Sequence, residues 1–188
     1  MTRVLVPMAD GVEEMEAVII IDTLRRAEWD VTSAGFKKGV VTASRGVKIE
    51  PDALWEDVDA GSFDVIAIPG GKGGADNLRA NQDVLNAVRE FHSRGKLLAS
   101  VCAGPLVLKE AGVLDGKRVT CHPSVTEEIR PVERVDEPVV VDGNIITSQG
   151  AGTCFEFALA IIESIDGRSK ADKIGNAMVV HRIRSGQS

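Results

Sequence analysis

The sequence predicts an α/β fold with a parallel sheet covered on both faces, and three observations predict it. Strand and helix signals alternate along nearly the whole chain. Two of the strand runs, residues 64–68 and 97–102, are rich in apolar residues along their length, as strands buried on both faces are. No internal repeat, low-complexity tract or interdomain linker interrupts the 188 residues, a length suited to one compact core.

The elements follow in order. Residues 3–8 are β-rich and end in the turn Ala9-Asp10-Gly11. Over residues 13–27, Val18, Ile21, Leu24 and Ala27 recur at helical spacing. Residues 30–35 form a second strand, and residues 40–43 and 47–49 flank Ser44-Arg45-Gly46 as a hairpin. The strand at 64–68 is ended by Pro69 and two glycine pairs. Residues 77–93 read as one helix with Val84, Leu85, Val88 and Phe91 on one face. A buried strand follows at 97–102, a short helix at 105–111 and a strand at 118–121. Residues 139–141 and 144–147 pair around Asp142-Gly143. Helices at 153–165 and 170–180 close the fold. Right-handed crossovers constrain the winding. The expected organisation is one domain over residues 1–182 with a short polar tail, 183–188.

Composition narrows the function. A net charge of −6 argues against a nucleic-acid surface, and with no Tyr and two Trp a base-stacking platform is not expected. The longest apolar run, Ala17 to Ile21, is far too short to span a bilayer, and no secretory signal is visible. Three cysteines, an odd number without framework spacing, read as free thiols in a reducing cytoplasm.

In such sheets ligands sit at the carboxyl ends of strands, where four segments fall. In Ser100-Val101-Cys102-Ala103-Gly104-Pro105 a buried strand ends in a nucleophile, small residues let the chain turn and a helix begins. That helix N-terminus is expected to lower the Cys102 pKa. Pro69-Gly70-Gly71-Lys72-Gly73-Gly74 lacks the spacing of a P-loop; beside Cys102, the Gly71 N–H could join that of Ala103 in an oxyanion hole. In Gly11-Val12-Glu13-Glu14-Met15-Glu16, Glu13 and Glu14 need only complement a helix dipole. Glu16 precedes a purely apolar stretch, where burial would raise its pKa and suit it to proton transfer. In Cys121-His122-Pro123, His122 could orient or deprotonate Cys102, or simply make a structural hydrogen bond. A zinc site from Cys102, Cys121, His122 and Cys154 is not expected, because no CxxC pair exists. His92 and His181 are read as exposed helix residues.

These residues resemble the ThiJ/PfpI superfamily, in the branch of the parkinsonism-associated protein deglycase and its bacterial relatives. The carriers are residues 9–16, Ser44-Arg45-Gly46-Val47, Ile68-Pro69-Gly70-Gly71 with Gly74-Ala75-Asp76-Asn77-Leu78, Val101-Cys102-Ala103-Gly104-Pro105, Thr120-Cys121-His122-Pro123, and Thr147-Ser148-Gln149-Gly150 running into Gly152-Thr153 and Phe155-Glu156-Phe157-Ala158. The resemblance implies a flavodoxin-like three-layer sandwich and a homodimer. It implies Cys102 as nucleophile, Glu16 as the protonated carboxyl on the sulfur, and His122 near the pocket without a tight triad. It implies oxyanion N–H groups from Gly71 and Ala103, with Arg26 and Arg45 near the dimer interface and pocket mouth. Two positions depart: Ala151, where relatives often carry Pro, implies a looser loop, and Cys121, often Thr or Gly, adds a thiol beside the site. Ala103 follows the nucleophile where protease-type members carry His. Ser100 and the lack of a late His-x-Glu separate the chain from glutamine amidotransferases, and Glu16 from the isonitrile hydratase branch, which uses Asp.

The function so implied is cofactor-free detoxification of reactive dicarbonyls or repair of glycated proteins: Cys102 would form a hemithioacetal and Glu16 would move a proton. The alternative is an oxidative-stress sensor or redox-regulated chaperone working through oxidation of Cys102.

Overall fold

The computed structural model of the protein describes residues 1–180; His181 and the expected tail lie outside the described residues. In chain order the elements are β1 (Arg3–Met8), α1 (Glu14–Arg26), β2 (Asp30–Gly35), β3 (Val41–Thr42), β4 (Lys48–Ile49), β5 (Ala53–Leu54), β6 (Val65–Ile68), α2 (Lys72–Arg79), α3 (Gln82–Ser93), β7 (Leu97–Val101), α4 (Pro105–Glu110), β8 (Arg118–Val119), α5 (Thr126–Ile129), β9 (Glu133–Arg134), β10 (Val139–Asp142), β11 (Ile145–Ser148), α6 (Cys154–Asp166) and α7 (Arg168–Ala177). Seven strands form the central sheet in the order β10-β11-β7-β6-β1-β2-β5. All neighbours run parallel except the β10–β11 hairpin. The mixed α/β, mostly parallel architecture is the one the sequence predicts.

Strand alternation builds two cores, one on each face of the sheet. Leu5, Ile66, Ile68 and Leu98 join Ala75, Leu78, Val88 and Phe91 of α2 and α3 and Leu106 to Leu108 of α4. Val4, Val6, Val65, Ala67, Ala99 and Val101 face the other way, onto Ile20 and Leu24 of α1, Phe157 and Ile161 of α6 and Ile174 of α7. Both faces of β6 and β7 are therefore covered, which is why their sequences carry apolar residues at every or nearly every position.

The helix expected over residues 77–93 is two helices. The Asn81 side chain accepts the N–H groups of Asp83 and Val84 at 2.9 and 3.4 Å and starts α3 afresh. The first of the pair begins earlier than expected, at Lys72, so Gly73 and Gly74 lie inside α2. Their smallness serves packing: a Cβ on Gly74 would sit 2.8 Å from the Val12 Cα. His92, expected to be exposed, is half-buried on α3, with its Nδ1 buried and without a hydrogen-bond partner among the described residues.

Candidate active site

Cys102 follows the last residue of β7 and has φ +63°, a left-handed conformation that a side chain enters only under constraint. The constraints are visible. Its N–H donates to the Ser148 carbonyl and its own carbonyl accepts the His122 N–H, both at 2.9 Å, while the Gly104 N–H closes the turn onto the Val101 carbonyl at 2.8 Å. A Cβ on Gly104 would meet the carbonyl oxygens of Ile68 and Val101 at 2.9 Å, so the elbow needs glycine there. The thiol is half-buried, whereas Cys121 and Cys154 are fully buried.

Glu16 comes to the thiol from the first turn of α1. The Glu13 carboxylate caps that turn by accepting the Glu16 N–H at 2.7 Å, and the Glu16 side chain is wholly buried. The Gly70 N–H donates to its Oε2 at 2.7 Å. The Cys102 side chain and the Glu16 carboxyl face each other across Gly70, whose missing Cβ would lie 2.5 Å from the Cys102 Cβ and 2.7 Å from that Oε2. From below, the Cys154 thiol donates to the Glu16 main-chain carbonyl at 3.7 Å.

The electrostatics follow from this closeness. Burial pushes the Glu16 carboxyl up to about 7, against the Gly70 N–H and the Cys102 thiol, which favour its ionised form. Burial first, and then the Glu16 carboxylate, push the Cys102 thiol up to about 12. The N–H groups of Gly71 and Ala103 pull the other way and do not win. The expectation that the helix start lowers the Cys102 pKa is thus corrected. The six-residue α4 is short, and desolvation beside a carboxylate outweighs its partial charge. Near neutral pH the sulfur holds its proton, and the carboxyl titrates far above the ordinary carboxylate range.

The backbone N–H groups of Gly71 and Ala103, from two separate loops, both act on the Cys102 sulfur in the sense that favours its thiolate. Gly71 has φ +83°, and a Cβ there would lie 2.3 Å from the Gly11 carbonyl oxygen. The exposed His122 is tied to the site by its backbone. Its Nδ1 pairs with the Ser124 hydroxyl at 2.8 Å, and no hydrogen bond joins its ring to the thiol among the described residues. Arg45 is exposed in the hairpin turn. Its N–H is held by the Glu14 carboxylate at 2.9 Å, which also accepts from the Ser44 hydroxyl at 2.8 Å. Arg26 pairs with Asp22 at 2.7 Å at the far end of α1, ~15 Å along the helix axis from Glu16. That distance sets Arg26 apart from the Cys102–Glu16 pair.

Three details were not anticipated. Glu14 is buried and clamps the β3–β4 hairpin rather than merely complementing a dipole; a first-turn carboxylate carries no sequence signal for that. Cys121 does not sit open beside the site: burial pushes its thiol up, only partly offset by the Arg134 guanidinium. The Ala151 loop is tied down in spite of lacking proline, because the Thr153 hydroxyl accepts the Gly150 N–H at 3.1 Å and pairs with the Ser148 hydroxyl at 2.7 Å. A separate cavity of about 260 Å³ lined by Met8, Phe36, Val41 and Asn77 does not reach Cys102.

Known proteins resemble this chain along most of its length. Residues 2–164 match the DJ-1/PfpI family. The chain is 42% identical over 179 residues to the protein dj-1beta of Drosophila melanogaster, covering 94% of this chain and 96% of that one. The crystal structure of Drosophila DJ-1beta superposes with a TM-score of 0.92 at 40% identity, over 96% of this chain and 99% of the other. A deglycase of Pyrococcus abyssi is 35% identical over 155 residues, 81% of this chain and 93% of its own length. Against DJ-1 homolog B of Arabidopsis thaliana identity is 41% over 180 residues, 95% of this chain, but the match spans only 41% of that longer protein.

Proposed function

The chain belongs to the DJ-1/PfpI family, and from that membership and the contacts around Cys102 we propose that it is a cysteine-dependent enzyme acting on reactive dicarbonyls, with methylglyoxal as a substrate and early glycation adducts as related ones. The observation that carries the reading is the half-buried Cys102 thiol facing a buried Glu16 carboxyl whose pKa stands at about 7. A proton carrier works best with a pKa near the working pH, because both of its forms are then at hand.

The Cys102 sulfur adds to the aldehyde carbon, and its proton passes to the Glu16 carboxylate. The carbonyl electron pair moves onto oxygen, held by the Gly71 and Ala103 N–H groups, and Glu16 returns the proton there to give a hemithioacetal. Glu16 then removes the C–H proton from that carbon, the hydroxyl proton of the hemithioacetal passes to the neighbouring ketone oxygen in the enediol stage, and Glu16 delivers its proton to the carbon that bears that oxygen. The product is a 2-hydroxyacyl thioester on Cys102. Water cleaves its C–S bond, releasing the 2-hydroxy acid and the thiol. The balance is methylglyoxal plus water to lactate, with no external oxidant or reductant. Removing free dicarbonyl also draws reversible adducts apart, so one site supports both glyoxalase and deglycase outcomes.

A second reading rests on exposure: Cys102 is the one cysteine that is not fully buried, so an oxidant in solution meets it first, and a protonated Glu16 can donate to the oxidised sulfur. In either reading a second copy of the chain covers the exposed Met15, Val18 and Val47 beside Arg45. Incubation with excess methylglyoxal separates the two. Lactate well beyond one equivalent per chain supports the enzyme. No turnover there, with Cys102 oxidised by mild hydrogen peroxide in a parallel sample, supports the sensor and defeats the enzyme.

A further inference from the structure

Lys72 and Arg79 are the first and last residues of α2, and both converge on two carboxylates. Lys72 Nζ lies 2.7 Å from Asp76 Oδ1 and 3.3 Å from Glu128 Oε2. Arg79 Nη2 lies 2.7 and 3.1 Å from the same two atoms. Glu128 belongs to the single-turn helix α5, and its main-chain carbonyl accepts from Lys109 Nζ of α4. One residue thus ties α2, through its side chain, to α4, through its backbone. The residue just before α2 is Gly71 and the turn leading into α4 contains Ala103, whose N–H groups meet at the Cys102 sulfur.

We propose that Glu128 is a positioning residue: it sets α2 against α4 so that the Gly71 and Ala103 N–H groups stay converged on Cys102. Apolar contact among Ala75, Leu78, Leu106 and Ile129 sets the spacing of these helices. Close backbone packing of Gly71, Gly73 and Gly74 against Gly11 and Val12 seats the start of α2. The Lys72 ion pairs tie that same turn to α5, and through it to α4. Exposed ion pairs are weak singly, but here two cations share the same two carboxylates in a closed set. The inference rests on Cys102 being the reacting group.

The test reads the sulfur directly. The rate of Cys102 alkylation by iodoacetamide is followed against pH by peptide mass spectrometry in the wild type, in Glu128→Gln, and in Arg94→Gln. Arg94→Gln breaks a more exposed pair with Glu90 on α3, away from α2 and α5. The titratable groups around the thiol are Glu16 and Glu13 at the start of α1, Cys154 of α6 and His122 after β8, and all stay in place. Removing a carboxylate acts through its field to favour the thiolate and lower the apparent pKa. Loosening the Gly71 N–H raises it. The expected result is an upward shift of roughly half a pH unit in Glu128→Gln, about threefold less thiolate at a fixed pH, with Arg94→Gln unmoved. An absent or downward shift in Glu128→Gln, or an equal shift in Arg94→Gln, overturns the proposal. Absence of dicarbonyl turnover in the wild type would defeat the proposed function and leave this result standing.

Discussion

At Cys102 the chain accepts a left-handed backbone conformation, and at Glu16 it accepts a carboxyl with no access to water. Both cost stability, and the second cost depends on pH. Between 4.5, the ordinary value, and about 7, its value in the fold, the folded chain keeps a proton at Glu16 that the unfolded chain has released. Stability contributed at this site therefore falls as pH rises through that window and is fully lost above the folded value. A shift of this size corresponds to on the order of 3 kcal/mol. Glu16→Gln keeps an oxygen for the Gly70 N–H and has nothing to titrate. Chemical denaturation at pH 5 and pH 8 should show the wild type losing stability relative to Glu16→Gln between the two. Parallel pH profiles for the two proteins would mean that Glu16 ionises as freely in the fold as outside it. The raised pKa was readable from sequence in direction, because Glu16 precedes an apolar stretch. The behaviour of Cys102 was not, since its desolvation comes from residues remote in sequence.

Among the elements, the legible ones were those with many residues sharing one pattern. Strands β6 and β7 and helices α1 and α6 announce themselves by apolar runs or helical spacing. The two-residue strands β5 and β9 cannot, because two residues have no period, and β8 is legible only as part of a longer expected strand, 118–121, that ends two residues early. The break between α2 and α3 was hidden because the apolar positions Leu78, Val84 and Leu85 keep helical spacing across it, and only Asn81 marks the new start. The glycines of α2 run against helix propensity and become intelligible only once Gly11 and Val12 are seen against them. Gly71 is the most demanding of these positions. Its φ of +83°, and the 2.3 Å at which a Cβ would lie from the Gly11 oxygen, leave no room for a methyl group. Gly71→Ala should cost at least about 2 kcal/mol and displace the N–H aimed at Cys102. Turnover should then fall further than the loss of folded protein accounts for. A Gly71→Ala protein as stable and as active as wild type would show that this loop does not build the site.

At the scale of the whole molecule, the sheet brings the carboxyl ends of β1, β6 and β7 together, and each delivers one part of the site: Glu16 after β1, Gly70 and Gly71 after β6, Cys102 and Ala103 after β7. That convergence is why position in the sequence points to them as candidates, along with His122, whose ring turns to Ser124 instead, while Glu14 and the Lys72–Glu128 clamp, whose partners lie in other elements, carry no such signal. Among the described residues no helix is long and apolar enough to cross a membrane. The surface nonetheless keeps Met15, Val18 and Val47 more than half exposed around α1 and the hairpin that Glu14 holds. A second copy packed there should make the protein a dimer in sedimentation at micromolar concentration, and Val18→Glu should dissociate it; a monomer throughout would contradict the pairing. The most direct test of the central claim is a paired measurement on Glu16→Gln, combining lactate formation from methylglyoxal with alkylation of Cys102. The account predicts turnover lower by at least ~100-fold, the scale of a lost proton carrier. Alkylation should be as fast as in wild type or faster, because the carboxylate that opposes the thiolate is gone. Turnover by Glu16→Gln at the wild-type rate would contradict it.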